Sequence, residues 1–261
     1  MVFIILYDSE RSMQTKEAGN EDAKKQLSHV QRQWIGRHLA IFVLYSSAGI
    51  ATQIIVESKK TKLLLDVGDG TLRDLLHRGF DLNALDCILL SHGHFDHIGG
   101  LWPLLGFMRM IGRRRQLLVL MPWGITEARS IIRAFISNYA STTPFSIRVL
   151  TAVPGRTTRI GDISINTFRV RHRGTVAGIA HLPMIPAVGY GLTCRNERVV
   201  FSGDTGLCQS LEKEVKGADL AILEATRTRH TGAPGTHLLV DEARKLGRLA
   251  QSYILVHRHQ N

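Results

Sequence analysis

Residues 91–97, which read Ser-His-Gly-His-Phe-Asp-His, constrain this chain more than any other feature of its sequence. They follow the apolar run 87–90, which is typical of a buried strand that ends in a polar loop. Three imidazoles and one carboxylate stand close together at the end of that strand. A divalent cation of zinc type takes three or four nitrogen and oxygen ligands in a compact shell, and Gly93 allows the backbone to bend around it. The segment therefore predicts a metal site.

Three other strand-like segments also end in a residue that can bind a metal. The segments ISINTFRVRH, VVFSGD and SYILVH end at His172, Asp204 and His257. Since a carboxylate has two oxygens, Asp204 can bridge two cations. Single polar residues at strand ends are common, so these three indicate a metal site only together with residues 91–97.

Strand-like and helix-like segments alternate along the chain. The short apolar runs LAIFVLY, TQIIVES and TKLLLDVG are typical of strands, whereas GTLRDLLHRGF and TEARSIIRAFISNY have helical spacing. This alternation predicts an α/β fold in which two sheets are sandwiched between helices. Residues 8–33 are polar and charged. We therefore predict an N-terminal extension over 1–36, partly flexible, and a folded domain over 37–261.

Composition narrows the range of partners. The formal net charge of +11 favours anionic partners, although a basic enzyme without a polyanion partner would have the same composition. The three cysteines lie far apart, which excludes a disulfide framework and a cysteine-rich zinc site. No run approaches the roughly 20 apolar residues of a membrane span. The first residues lack the pattern of a secretory signal, so we predict a cytoplasmic protein without a membrane partner.

The run SHGHFDHIGG resembles the HxHxDH signature of the metallo-β-lactamase-fold superfamily. LLLDVGDGT resembles the strand and turn that precede the signature there, with Asp66 in the supporting position. VVFSGDT and YILVH stand where that family has its bridging aspartate and its last histidine. Together with ILEAT, they resemble the ribonuclease Z and arylsulfatase-like branch. The similarity spans about residues 38–257 and implies a four-layer αββα sandwich, so that 37–261 would be a metallo-hydrolase domain.

The resemblance implies a ligand set for two divalent metal ions, which would be zinc or else manganese or iron. The first ion would have His92, His94 and His172, the second Asp96, His97 and His257, and Asp204 would bridge the two. His181 competes with His172 for the third position of this pattern. We favour His172 because it ends a clear strand, and residues 173–181 would then be an inserted loop.

The resemblance also implies a hydrolase in which a hydroxide between the two ions attacks phosphorus, sulfur or a carbonyl carbon. Asp96 would be both a ligand and the group that orients the hydroxide or takes its proton. His237 stands where ribonuclease Z-like proteins have the histidine that protonates the leaving oxygen. The alternative for His237 is a neighbour of a helix N-cap, since Thr236 is itself a good cap. Asp66 and Glu224 would hold ligand histidines, with a buried structural carboxylate as the alternative for Glu224.

The expected substrate is anionic: a phosphodiester, including RNA, or a small ester. Only 13 residues separate Tyr190 from Asp204, too few for the long arm with which ribonuclease Z relatives bind tRNA. We therefore predict a ribonuclease Z-like phosphodiesterase without that arm, and the resemblance allows a homodimer. The alternatives are an arylsulfatase- or lactonase-like hydrolase of small esters, and a basic RNA-binding protein whose metal site is structural.

Two basic clusters do not decide between these functions. Residues 113–115 and 227–230 could hold a phosphate or sulfate, or could form solvated loops. The sequence shows no alternation of aromatic and basic residues of the kind that binds single-stranded nucleic acid.

Overall fold

Two β-sheets organise residues 32–174, 182–228 and 236–259, which are the residues that the computed structural model describes. The first sheet has seven strands in the order of the chain: β1 Arg32–Ile35, β2 Ala40–Ser47, β3 Ala51–Glu57, β4 Lys62–Leu65, β5 Cys87–Leu89, β6 Leu117–Pro122 and β7 Ile147–Ala152. The second sheet has six strands, and their neighbours also follow the order of the chain: β8 Thr157–Ile160, β9 Ile163–Arg169, β10 Val188–Cys194, β11 Glu197–Phe201, β12 Leu220–Glu224 and β13 Ser252–Val256.

Each sheet begins with antiparallel strands and ends with parallel ones. The strand pairs from β1 to β4 are antiparallel and those from β4 to β7 are parallel. In the second sheet, β8 to β11 are antiparallel and β11 to β13 are parallel. Parallel neighbours bring their carboxyl ends to the same edge of a sheet, where ligand sites of α/β proteins form.

Helices cover the outer face of each sheet. Those described are α1 Thr71–His77, α2 Phe95–Ile98, α3 Leu101–Met110, α4 Thr126–Tyr139, α5 Gln209–Val215 and α6 Val240–Gly247, with a short 3₁₀ helix at Leu82–Ala84. Among these residues, none of the helices is long and apolar enough to cross a membrane.

Three apolar cores separate the layers. In β4, Leu63 and Leu65 join the core between the two sheets, whereas Leu64 joins the core beneath α1, α3 and α4. This alternation follows from the period of two residues in a strand. A third core joins the second sheet to α5 and α6 through residues such as Val200 and Leu211. The layers are therefore helices, sheet, sheet, helices, which confirms the predicted αββα sandwich.

The first sheet begins earlier than the predicted boundary at residue 37. The strand β1 lies within the predicted extension, 1–36, and pairs with β2. Trp34 packs against the core between the sheets, and Glu197 of β11 accepts hydrogen bonds from the backbone N–H groups of residues 37–39 at 2.6–2.7 Å. The folded domain therefore includes Arg32–Ile35. Residues 1–31 lie outside the described residues, so a flexible extension there stays a prediction.

Three elements differ from the sequence-based expectation. The second half of the segment 91–97 belongs to the helical turn α2 rather than to a loop, because the chain turns into a helix directly after His94. The strand β8 and the helix α5 were not predicted. Their sequences, TTRI and QSLEKEV, are short and mostly polar, so neither has a strong apolar period.

Arg113 of the first basic cluster is completely buried and has a structural role. Its guanidinium donates to the backbone carbonyl oxygens of Leu82 (2.5 Å), Leu85 (2.7 Å), Arg115 (2.9 Å) and Gln116 (3.0 Å). Burial lowers the pKa of Arg113, and the charge of Arg115 lowers it further. Arg113 therefore ties the end of α3 to the 3₁₀ helix, and it is not available to hold a phosphate or sulfate.

We expect the Arg113→Met variant to be less stable than the wild type by about 3 kcal/mol, because it leaves several carbonyl oxygens without a donor. Its melting temperature should then fall by about 6–12 °C in thermal unfolding followed by circular dichroism. Arg114→Met is the matched control, since Arg114 is exposed. An equal effect of the two substitutions would contradict the structural role of Arg113.

Candidate metal centre

The predicted ligands converge where the carboxyl ends of strands from both sheets meet. The chain leaves β5 into residues 91–97, and His172, Asp204 and His257 follow β9, β11 and β13. The candidate ligand atoms fall into groups in which all atoms lie within 4.8 Å of one another. One group is His92, His94, His172 and Asp204, a second is Asp96, His97 and His257, and a third joins Asp204 to His237 and His257.

Three imidazole nitrogens of the first group point at one another. His94 Nδ1 lies 3.0 Å from His92 Nε2 and 3.2 Å from His172 Nε2. Asp204 Oδ2 lies 3.8 Å from His92 Nε2 and 4.0 Å from His172 Nε2. Three nitrogens and one oxygen at these separations suit one tetrahedral cation.

The second group is equally compact. His257 Nε2 lies 3.3 Å from His97 Nε2 and 3.1 Å from Asp96 Oδ2. Asp204 Oδ2 lies 3.4 Å from the Nε2 atom of both histidines. Asp204 therefore stands between the two groups, and its carboxylate is within reach of both.

Buried partners on the far side of their rings orient two of these histidines. His97 Nδ1 lies 2.7 Å from Asp66 Oδ2, and His172 Nδ1 lies 2.8 Å from the carbonyl oxygen of Thr236. A carbonyl oxygen only accepts hydrogen bonds, so Nδ1 of His172 has the proton and Nε2 keeps its lone pair for a cation. The Asp66 carboxylate also accepts from the N–H and hydroxyl of Ser91, at 2.7 and 2.8 Å. Asp66 thus has the supporting position that the sequence predicts.

His92 and His257 are oriented by hydroxyl groups. His92 Nδ1 lies 3.0 Å from Ser91 Oγ, and His257 Nδ1 lies 2.8 Å from Thr226 Oγ1. The Thr226 hydroxyl also lies 2.8 Å from Glu224 Oε2. Hydrogen bonds of this kind fix ring orientation and increase the basicity of ligand histidines.

The donor set fits divalent cations. Asp204 is 2% exposed, and its Oδ1 atom has no hydrogen-bond partner within the described part of the chain. An unpartnered buried carboxylate oxygen is costly in a protein interior unless a charge compensates for it. Two Nε2 atoms at 3.3 Å, those of His97 and His257, form another contact that a cation would satisfy. The cluster is therefore suited to bind divalent metal.

The protonation states of His92, His172 and Asp204 suit metal binding, which requires neutral imidazole and ionised carboxylate. Burial lowers the pKa of His92 well below its usual value and that of His172 to about 4. Burial acts against charge on Asp204 as well, but His257 and His97 outweigh it and hold its pKa well below the usual range. His97 differs: burial opposes its charge, but Asp204 and Asp66 raise its pKa well above the usual value.

His237 lies beside the cluster and is held by Glu224. Its Nδ1 atom lies 3.0 Å from Glu224 Oε1 and 3.8 Å from Asp204 Oδ2. Its ring stacks on that of His257 at 5.6 Å, and its side chain is 13% exposed. Burial disfavours its charge, but Glu224 outweighs burial and raises the pKa of His237 to about 9. His237 is thus a partly accessible imidazole next to the candidate ligands, and Glu224 favours its protonated form.

Glu224 holds His237 and the loop around Asp204 rather than contacting a ligand histidine directly. Its Oε1 atom accepts from the N–H groups of Thr205 and Leu238, both at 3.1 Å. Thr236 is not the cap of α6, because that helix begins at Val240 and its N-cap residue is Leu239.

Some functional features have no signal in the sequence. The carbonyl oxygen of Thr236 is a backbone atom, and the residue type does not reveal its role. Thr226 follows the ILEA run directly, but nothing in the sequence marks its hydroxyl as a partner of His257. His181, the alternative to His172, lies outside the described residues, as do residues 229 and 230 of the second basic cluster.

Comparisons with known proteins identify the family of this chain. Residues 61–259 match the family described as β-lactamase superfamily domain. The ribonuclease Z of Bradyrhizobium sp. strain ORS 278 is 27% identical over 250 residues, covering 79% of this chain and 82% of that protein. The ribonuclease Z of Bradyrhizobium diazoefficiens is 31% identical over 214 residues, covering 66% of this chain and 70% of that protein.

Solved structures show the same fold. The short form of human tRNase Z superposes with a TM-score of 0.69 at 19% identity, covering 84% of this chain and 93% of that one. The metallo-β-lactamase fold protein YhfI from Bacillus subtilis gives a TM-score of 0.69 at 20% identity, covering 85% and 87%.

Proposed function

This chain belongs to the β-lactamase superfamily and, within it, to the ribonuclease Z branch, and we propose that it is a metal-dependent phosphodiesterase. The observation that carries the proposal is the position of Asp204 Oδ2, 3.4 Å from His97 Nε2 and 3.8 Å from His92 Nε2, between two groups of candidate ligands. Such an arrangement is typical of hydrolases with two metal ions.

Seven side chains would hold two divalent cations, zinc or else manganese or iron. They are His92, His94, Asp96, His97, His172, Asp204 and His257. When bound, the cations would lower the pKa of water to supply a nucleophile and would neutralise charge on the attacked group. The chain itself contributes the orientation of the ligands and the proton transfers.

Two residues would move protons. Asp96 is both a candidate ligand and a carboxylate that can accept a proton, and the N–H group of Gly49 holds its Oδ2 atom at 3.0 Å. His237 would protonate the leaving oxygen. Because Glu224 accepts from its Nδ1, the other ring nitrogen of His237 is left to donate. The charge of Glu224 raises the pKa of His237 and so favours the protonated ring.

We expect the His237→Ala variant to lose about 100- to 10,000-fold in kcat on an RNA oligonucleotide, because a ribose alkoxide must be protonated as it leaves. On bis-p-nitrophenyl phosphate the loss should be small, since p-nitrophenolate leaves without a proton. Metal content should not change, and His77→Ala, which removes an exposed histidine at the end of α1, is the control. Equal losses on both substrates would contradict the proton-donor role.

The relatives named ribonuclease Z support RNA as the substrate, and the net charge of +11 suits a polyanion. The strands β10 and β11 are joined by residues 195–196 alone, so they leave no room for a long arm between them. We therefore favour RNA or nucleotide-derived phosphodiesters that are held without such an arm. The cytoplasmic location and a homodimer stay predictions.

A panel of chromogenic substrates tests the proposed function. We expect the protein to hydrolyse bis-p-nitrophenyl phosphate in preference to p-nitrophenyl sulfate and a lactone. Preference for the sulfate or the lactone would instead favour the arylsulfatase- or lactonase-like alternative. Salt-dependent RNA binding that survives both chelation and the Asp96→Ala substitution, without turnover, would favour the RNA-binding alternative.

A further inference from the structure

Trp123 has the highest exposure, 76%, among the large apolar side chains of the described residues. It directly follows β6, whose Leu120 lies beside Leu89 of β5 in parallel register. Because β5 runs into the loop that begins at Ser91, the turn after β6 opens at the same edge of the sheet as the candidate metal centre.

The turn after β6 also contacts the segment that contains the candidate ligands. A Cβ atom added to Gly93 would lie 3.0 Å from Ile125 Cγ2 and 2.7 Å from Glu127 Oε2. Gly93 stands between His92 and His94, so Ile125 and Glu127 lie directly against this part of the site. Trp123, two positions before Ile125, therefore stands on a turn that borders the candidate metal centre.

The turn that presents Trp123 is fixed in place. Gly124 has a φ of +92°, and a Cβ atom on it would lie 2.9 Å from Pro186 Cγ. Ile125 is 1% exposed and anchors the other end of the turn in the core beneath the helices. A braced turn holds the backbone beneath the exposed ring in place, so a ligand that stacks on the ring has less of the chain to order on binding.

A basic side chain lies beside the Trp123 ring. The guanidinium carbon of Arg129, from α4, lies 5.6 Å from the centroid of the Trp123 ring. The turn and the first residues of α4 thus bring together an aromatic and a basic residue that are six positions apart in sequence. Aromatic rings with adjacent arginines bind the bases of single-stranded nucleic acids by stacking. The carboxylate of Glu127, in the first turn of α4, disfavours a phosphate on this surface, so a base is the better occupant.

We propose that Trp123, supported by Arg129, is a nucleobase subsite on which the base next to the scissile phosphodiester stacks. This inference rests on the proposed phosphodiesterase function. It assigns a part of substrate recognition to a residue that contacts neither the candidate ligands nor the reacting atoms. Replacing a residue with this role should slow the hydrolysis of substrates that contain a base. The hydrolysis of substrates without a base should not change.

Two esters with the same leaving group test the subsite. Thymidine 5′-(p-nitrophenyl phosphate) has a base, and methyl p-nitrophenyl phosphate does not. We expect Trp123→Ala to lower kcat/KM on the thymidine ester by about 5- to 150-fold and to leave kcat/KM on the methyl ester unchanged. Trp123→Phe should retain most of the activity on the thymidine ester, because a smaller ring still stacks.

Equal effects of Trp123→Ala on the two esters, or no effect on either, would overturn the subsite. If the wild type hydrolyses neither ester, fluorescence decides the subsite by itself. The proposed function fails only if bis-p-nitrophenyl phosphate is not hydrolysed either. A uridine oligonucleotide should quench the tryptophan emission of the wild type more than that of Trp123→Phe, and equal quenching would overturn the proposal. A change of oligomeric state in Trp123→Ala, seen by size-exclusion chromatography with light scattering, would also overturn it, by making Trp123 a contact between subunits.

Discussion

Replacing Asp204 with alanine is expected to remove most of the bound metal and all measurable turnover. Its Oδ2 atom lies 3.4 Å from the Nε2 atoms of His97 and His257 and 3.8 Å from that of His92. No other carboxylate among the described residues belongs to more than one of the candidate ligand groups. Without Asp204, the first group keeps only neutral imidazoles, which bind a divalent cation less tightly than a set that includes a carboxylate.

The measurement is metal content after dialysis, together with kcat on bis-p-nitrophenyl phosphate. The wild type should hold about two equivalents of zinc, manganese or iron, as expected for a dinuclear site. Asp204→Asn preserves the size of the side chain and removes its charge, so it should behave almost like the alanine variant. Asp241→Ala is the control, because the Asp241 side chain is 82% exposed and pairs only with Arg244 in the contacts described here. Unchanged metal content in Asp204→Ala would rule out a bridging role.

Removing the metal with a chelator is expected to abolish turnover and to lower the melting temperature by about 8–16 °C. A ligand that binds only the folded state stabilises it by about 4 kcal/mol at a thousand times its Kd. In a domain of this size, each kcal/mol corresponds to about 2–4 °C. The cation would join side chains from both sheets, since His97 follows β5 and His257 follows β13. Its loss therefore weakens a contact between the two sheets.

Differential scanning calorimetry with and without the chelator measures this effect. Adding back zinc, manganese or iron singly should restore both the melting temperature and the turnover, and the metal that restores most identifies the preferred ion. Asp204→Ala should show a much smaller shift on chelation. A melting temperature and an activity that do not respond to thorough metal removal would contradict the metal-dependent mechanism.

The sequence predicted those parts of the fold and site that depend on neighbours along the chain. The alternation of Leu63, Leu64 and Leu65 between two cores follows from strand geometry alone. Residues 91–97 have closely spaced ligand types, and local spacing of this kind indicates a metal site before any fold is known. The short polar elements β8 and α5 were missed because they have no strong apolar period.

The burial of Arg113 could not be predicted from the sequence. Within the cluster 113–115 it has the same charge as its neighbours, yet it is completely buried and bonds to four backbone carbonyl groups. Two of those carbonyls belong to Leu82 and Leu85, about thirty residues earlier in the chain. Burial depends on how distant segments pack, and charge type alone does not reveal it.

The sequence by itself determined the candidate ligands, the strands that bear them and the αββα architecture. Only the tertiary structure decided which groups meet: His257 with Asp96, 161 positions apart, His172 with the carbonyl of Thr236, and Arg129 with the ring of Trp123. The physical reason is one of range. Side-chain chemistry and local periodicity act over a few residues, whereas the position of an atom in the site depends on how two sheets pack against each other and on where their strands end.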